Sequence, residues 1–192
     1  MSTVKLSNMK NFIIIGVCFL LTSITVWGQR TVEGQFFCQA QASFVQGWTA
    51  RVGVGQYGRI GYWDADAGIL FSKDESKDKV IGLNGGYSWR IVSTPSRALS
   101  LYGGVGGLFG YLLPGEGNVV AEGGEESVSR NALKFGVYPR LELEVFPFAK
   151  FALFVSGSAP YVLTSPVGKY VDKKSTTGSF GAECSAGFRI LF

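Results

Sequence analysis

The sequence predicts an all-β fold of eight antiparallel strands, and three observations predict it. From Gly34 onward apolar residues recur with period two rather than 3.6. Eight such segments can be counted, at about 34–45, 48–57, 62–73, 80–93, 99–113, 131–146, 151–165 and 179–192. The connections after the third, fifth and seventh are long (74–79, 114–130, 166–178), whereas those after the second, fourth and sixth are short (58–61, 94–98, 147–150). The first connection, near Gln46-Gly47, is short and breaks that alternation.

In chain order the first element is not a strand. A basic, acid-free start with Lys5 and Lys10 leads into an apolar run from Phe12 to Leu21 and then Thr22 to Gly28. That is the layout of a cleaved secretory signal, with Val26 and Gly28 at the two specificity positions and Gln29 as the new N-terminus. The run is shorter than the ~20 apolar residues a membrane helix needs. A lipoprotein reading through Cys18 lacks the usual small-residue pair before the cysteine. The expected organisation is residues 1–28 as signal peptide and 29–192 as one barrel domain. Losing Lys5 and Lys10 lowers the formal charge by two from +4, too little basicity to suggest nucleic-acid binding. Histidine is absent, which removes the commonest general base and metal ligand.

The strands follow. In 34–45, Phe36, Cys38, Ala40, Ala42 and Phe44 oppose Gln39, Gln41 and Ser43. In 99–113, Leu99, Leu101, Val105, Phe109 and Tyr111 oppose Ser100, Tyr102, Gly104, Gly106 and Gly110. In 131–146, Leu133, Phe135, Val137, Leu141, Leu143 and Val145 oppose Lys134, Tyr138, Arg140, Glu142 and Glu144. The last segment sets Phe180, Ala182, Cys184, Ala186, Phe188, Ile190 and Phe192 against small, polar or charged residues. Such alternation suits a soluble β-protein with its apolar face inward or a membrane barrel with it outward. The closing run Phe188, Ile190, Phe192 resembles the C-terminal signature by which outer-membrane barrels are recognised for assembly. Together with the even strand count and the loop asymmetry, it selects an eight-stranded antiparallel transmembrane β-barrel of outer-membrane type. The bacterial outer membrane is then the expected location, and its lipid the expected surroundings.

With the apolar parity toward lipid, Arg51, Arg90, Lys134, Arg140 and Arg189 point inward against Asp64, Asp66, Glu142, Glu144 and Glu183. An eight-stranded barrel is only wide enough for side chains to fill, and interior charges are tolerable when paired. Five against five reads as a salt-bridged plug that closes the lumen. Asp64 and Asp66, or Glu142 and Glu144, are paired carboxylates of the kind acid-base catalysis uses. Residues two apart on a strand merely share a face, however, so the structural reading prevails and no catalytic, cofactor or metal site is expected. Gly103-Gly104-Val105-Gly106-Gly107 has no following helix or Lys-Ser/Thr and is not a phosphate loop. Lys73 to Lys79, and the acidic loop with Glu116, Glu122, Glu125 and Glu126, read as solvated loops.

Two finer expectations concern register. A hairpin pairing 146 with 151 sets Pro139 opposite Ser158 and Pro160 opposite Val137, so both prolines mark one bulged patch. Pairing Gly34 with residue 192 sets Cys184 opposite Ala42, about four residues or ~13 Å from Cys38, too far for a disulfide.

Several blocks resemble the conjugative transposon TraO family of Bacteroidota: a signal ending before Gln29-Arg30, Leu99 to Tyr111 (LSLYGGVGGLFGY), a long loop, Leu141 to Phe146 (LELEVF), and Pro166-Val167-Gly168-Lys169-Tyr170 before the closing strand. The resemblance implies an outer-membrane component of a conjugative type IV secretion apparatus with protein subunits as partners, no direct contact with nucleic acid and no active site to carry over. A stand-alone small barrel acting through its loops, as an adhesin or envelope-protective protein, is the alternative.

Overall fold

The computed structural model of the chain describes residues 32–44, 47–72, 79–113, 131–167 and 176–192. The expected signal peptide, the charged stretch 73–78 and the acidic loop lie outside the described residues. Ten strand segments are present among the described residues: β1 (Phe36–Ser43), β2 (Gly47–Tyr57), β3 (Gly61–Ser72), β4 (Lys79–Ser93), β5 (Leu99–Leu113), β6 (Asn131–Phe148), β7 (Phe151–Ser158), β8 (Tyr161–Val167), β9 (Thr177–Phe180) and β10 (Glu183–Leu191). β7 with β8, and β9 with β10, each form one stave interrupted for two residues. Each stave pairs antiparallel with its chain neighbours, and β10 pairs with β1, so the sheet closes into an eight-stranded barrel without free edges.

Closure fixes the shear. From residue to paired residue, Cys38 leads to Val54, Ala65, Gly85, Gly107, Val137, Tyr161 and Phe180. On the register that joins β10 to β1, the circuit returns ten residues further along the chain than Cys38. Such a stagger tilts the staves strongly against the barrel axis.

The outer wall is apolar. Val52, Leu83, Val105, Val137, Leu141 and Val155 are exposed there, and aromatic rings cluster near its two ends. At the end bearing the long connections these include Phe44 against Trp48, Phe109 against Phe135 and Tyr161 against Phe180. At the short-turn end, Tyr87 packs on Trp89, and Phe151 on both Phe148 and Phe188. Two aromatic girdles around an apolar band are the signature of a barrel set in a bilayer, and the short turns mark its periplasmic end. Leu143 faces outward and Arg140 inward, so Leu143→Arg is expected to cost about 2–4 kcal/mol at mid-membrane depth. Urea titration in lipid vesicles measures this, and an unchanged midpoint would contradict a lipid-facing Leu143.

The two register expectations are corrected, the first by a local irregularity in the hairpin and the second by the pairing that closes the barrel. Along β6, Arg140 pairs with Ser158 and Val137 with Tyr161, after an irregularity between Val145 and Phe148 near the hairpin. The hairpin is therefore one residue out from the simple count, and Pro139 faces Ala159, whose amide donates to its carbonyl. The patch itself is real: the break in the seventh stave at Ala159-Pro160 lies beside Pro139 and beside the break at Gly181-Ala182, where the Gly181 amide donates to the Pro160 carbonyl. On β1, Ser43 pairs with Ser185, which moves Cys184 opposite Phe44 and six residues from Cys38, about 20 Å along the strand. Both cysteines are free and exposed on the lipid side. Reduction of the purified protein is expected to leave its intact mass unchanged; a gain of two protons would overturn that.

Candidate functional site: the filled lumen

Inward positions alternate with the lipid-facing ones, and glycine makes room among them for side chains too large for so narrow a barrel. A Cβ on Gly55 would run into the Phe37 ring, and one on Gly106 into the Tyr138 ring. The cleared space holds two layers.

The layer at the periplasmic end is aromatic. Phe37, Tyr57, Tyr62, Tyr102 and Phe146 are buried together with Leu191, Ala152 and Val32. Ring contacts run across it from Phe146 to Tyr57 (6.1 Å), Tyr57 to Tyr62 (5.6 Å) and Tyr62 to Tyr102 (5.0 Å), with Phe37 against Tyr57 and Tyr62. Val32 reaches it because residues 32–35 fold under the barrel mouth: the Gly34 amide donates to the Tyr57 carbonyl, with Gly34 at φ +80, where glycine alone is unstrained. The alternation of apolar residues does not by itself predict these rings as a layer. The sequence signal was available in part, since Tyr102 lies on the inward parity of its strand.

Above the rings lies a connected set of ions. Arg189, wholly buried, sits at the centre. Its Nη1 reaches Glu142 Oε1 at 2.7 Å and Glu144 Oε1 at 2.6 Å, its Nη2 donates to Glu142 Oε2, and its Nε donates to Gln39 Oε1 at 3.0 Å. The Tyr57 hydroxyl donates to the same Glu144 oxygen. The guanidinium also lies over the faces of Tyr62 (4.3 Å), Phe154 (4.4 Å) and Phe37 (4.8 Å), so cation-π attraction supplements its ion pairs. Gln39 hands the network on by donating to Asp64, which Arg140 grips with two hydrogen bonds of 2.8 Å while also donating to Ser88. Nearer the extracellular end, Arg51 bridges Glu183 at 2.6 Å and Asp66 at 3.9 Å. Asn84 and Gln41 donate to Asp66, and Ser43 donates to Glu183.

The expected five-against-five balance needs correction. Ion pairs among the described residues join three arginines (Arg51, Arg140, Arg189) to five carboxylates (Asp64, Asp66, Glu142, Glu144, Glu183). Arg90 stands apart because it lies near the periplasmic end of β4, where its Nη2 donates to the Arg59 carbonyl of the adjacent turn at 2.7 Å. Lys134 lies above the network, lining a cavity of about 150 Å³ near the extracellular mouth with Arg51, Glu183, Leu70, Val80 and Val162. Phe188 and Ile190 of the expected assembly signal face lipid, and Phe192 is exposed beyond the end of β10. Among the described residues no group of His, Cys, Asp or Glu side chains is arranged to hold a metal ion.

An apolar wall between aromatic girdles and a lumen packed with side chains define an integral β-barrel of the bacterial outer membrane. No family model and no curated protein matches the sequence. Among solved structures the chain is similar to the N-terminal β-barrel domain of OprF from Pseudomonas aeruginosa, with a TM-score of 0.53 and 11% identity over 83% of this chain and 98% of that one. It is also similar to Neisserial surface protein A (TM-score 0.47, 16% identity, 82% of this chain and 95% of that one) and to the outer membrane protein Ail of Yersinia pestis (TM-score 0.38, 16% identity, 83% and 100%). The likeness to the OprF barrel is one of fold.

Proposed function

We propose that the protein is a non-conducting, non-enzymatic outer-membrane barrel that works at its rims, a small stand-alone barrel acting through its extracellular loops as an adhesin or envelope-protective protein. The observation that carries this reading is the filled lumen: a ring layer beneath an ion-paired layer leaves no open water path through the periplasmic half. The same packing argues against catalysis, because both carboxylate pairs are engaged by arginines, and Asp64, Glu142 and Glu144 are also buried away from any substrate. What remains for function is the surface each end offers. The reconstituted protein is expected to give no stable ion current in planar bilayers; reproducible channels would overturn the reading of a non-conducting barrel.

The conjugative-transfer reading rests on the sequence blocks. Of these, Leu99 to Tyr111 falls in β5 and supplies the inward Ser100 and Tyr102, and Leu141 to Phe146 supplies Glu142, Glu144 and Phe146. Barrel packing alone is reason enough for both blocks. Residues 168–170 of the third block lie outside the described residues. An in-frame deletion tests the two readings together: impaired surface attachment or envelope resistance with normal mating supports the proposal. Lowered conjugative transfer with normal attachment, and recovery of mating-apparatus subunits by affinity purification, would replace it.

A further inference from the structure

The periplasmic rim carries a run of cations that the lumen network does not use. Arg59 lies in the turn between β2 and β3, Arg90 near the end of β4, Arg97 in the turn between β4 and β5, and Lys150 in the turn between β6 and β7. Backbone hydrogen bonds make these sites contiguous: the Arg90 amide donates to the Ile60 carbonyl, and the Phe146 amide donates to the Ala98 carbonyl, which ties the Arg97 turn to the end of the strand that leads to Lys150. Arg59 and Lys150 are exposed, Arg90 and Arg97 half-buried. None of the four forms an ion pair among the described residues, and the exposed side-chain carboxylate described at this end is Glu33. Arg97 sits at φ 55, a conformation that favours glycine, and its Nη1 is buried without a hydrogen-bond partner.

The level of these cations selects their occupant. Ile60 adjoins Arg59, Trp89 and Ile91 flank Arg90 with Val92 beyond, and Phe148 lies two residues before Lys150; all five are strongly exposed and belong to the apolar wall and its aromatic girdle. Cations at that boundary lie beside lipid headgroups, where long side chains reach phosphate while their stems stay on the apolar surface. We propose that Arg59, Arg90, Arg97 and Lys150 form an arc that binds the phosphates of anionic phospholipids in the periplasmic leaflet. The arc enriches those lipids around one side of the barrel and fixes its depth and tilt.

The test uses protein reconstituted in vesicles of mixed phosphatidylglycerol and phosphatidylcholine, with Trp48→Phe so that Trp63 and Trp89 report the periplasmic girdle. Quenching by brominated phosphatidylglycerol is compared with quenching by brominated phosphatidylcholine. A preference of about fivefold for the anionic lipid is expected, equivalent to the share of one basic residue at a charged surface. It should fall to about one in Arg59→Gln/Arg90→Gln/Arg97→Gln/Lys150→Gln protein that keeps its heat-modifiable gel mobility. In the protein with all four cations present, the preference should collapse as salt is raised to about 1 M, where the Debye length is ~3 Å. No preference in that protein, a preference that persists in the four-fold variant, or one insensitive to salt would each overturn the arc. Retention of an acidic periplasmic polypeptide without any lipid preference would overturn it in favour of a protein partner.

Discussion

Arg189→Met is expected to destabilise the barrel by about 3–5 kcal/mol, the largest single-residue effect in the lumen. The size follows from what is left behind. Arg189 is the ion-pair partner of both Glu142 and Glu144, and all three side chains are essentially inaccessible to water. Glu144 Oε2 already lacks a hydrogen-bond partner, so this carboxylate rests on Oε1 alone, shared between Arg189 and the Tyr57 hydroxyl. Without the guanidinium two buried carboxylates lie side by side on the inward face of β6, which is an uncompensated desolvation cost. Replacing all three, as Arg189→Met/Glu142→Leu/Glu144→Leu, removes that cost and is expected to return stability to within about 1–2 kcal/mol of the parent, because buried ion pairs contribute little relative to well-packed apolar groups. Urea unfolding in vesicles, followed by tryptophan fluorescence, separates the two cases. A loss below about 1 kcal/mol for Arg189→Met alone would mean that water reaches the carboxylates and that the layer is not dry.

Much of this site was legible in the sequence, and the reason is periodicity. Alternation along 131–146 and 179–192 assigns Arg140, Glu142, Glu144 and Arg189 to one face without any knowledge of the partner strands, and the structure brings all four inside. Pairing is a different matter, since it depends on shear, which is a property of the closed ring and not of any segment. That is why Cys184 lands opposite Phe44 and not Ala42, whereas Pro139 meets Ala159 and not Ser158 because of the local irregularity between Val145 and Phe148. Arg90 shows a second limit of parity: it shares the inward phase of Ser88, but near the end of a strand a turn carbonyl is closer than any lumen carboxylate. The ring layer is not legible in that periodicity, because aromatic residues at inward positions do not disturb an alternation defined by apolar residues at outward ones.

The two lumen layers also differ in what they exclude, and bilayer recordings on variants are expected to assign the seal to the rings. The charge layer is a set of polar groups bridged by hydrogen bonds, which water can enter once the geometry loosens. The ring layer has no such option: each ring carries on the order of 150–250 Å² of surface, and Phe37, Tyr57, Tyr62, Tyr102 and Phe146 touch in a chain across the lumen. The charge-layer variant Arg189→Met/Glu142→Leu/Glu144→Leu should therefore remain silent, since apolar side chains take the place of polar ones above an intact ring layer. Phe37→Ala/Tyr62→Ala/Tyr102→Ala should instead produce repeated openings from a baseline of no current. It removes the rings and also two of the three faces that hold the Arg189 guanidinium, so the charge layer loses its support at the same time. Both variants must first show the heat-modifiable mobility of a closed barrel. Openings in the charge-layer variant with silence in the ring variant would make the seal electrostatic, and Arg189 rather than Tyr62 would then be the residue that keeps the membrane closed.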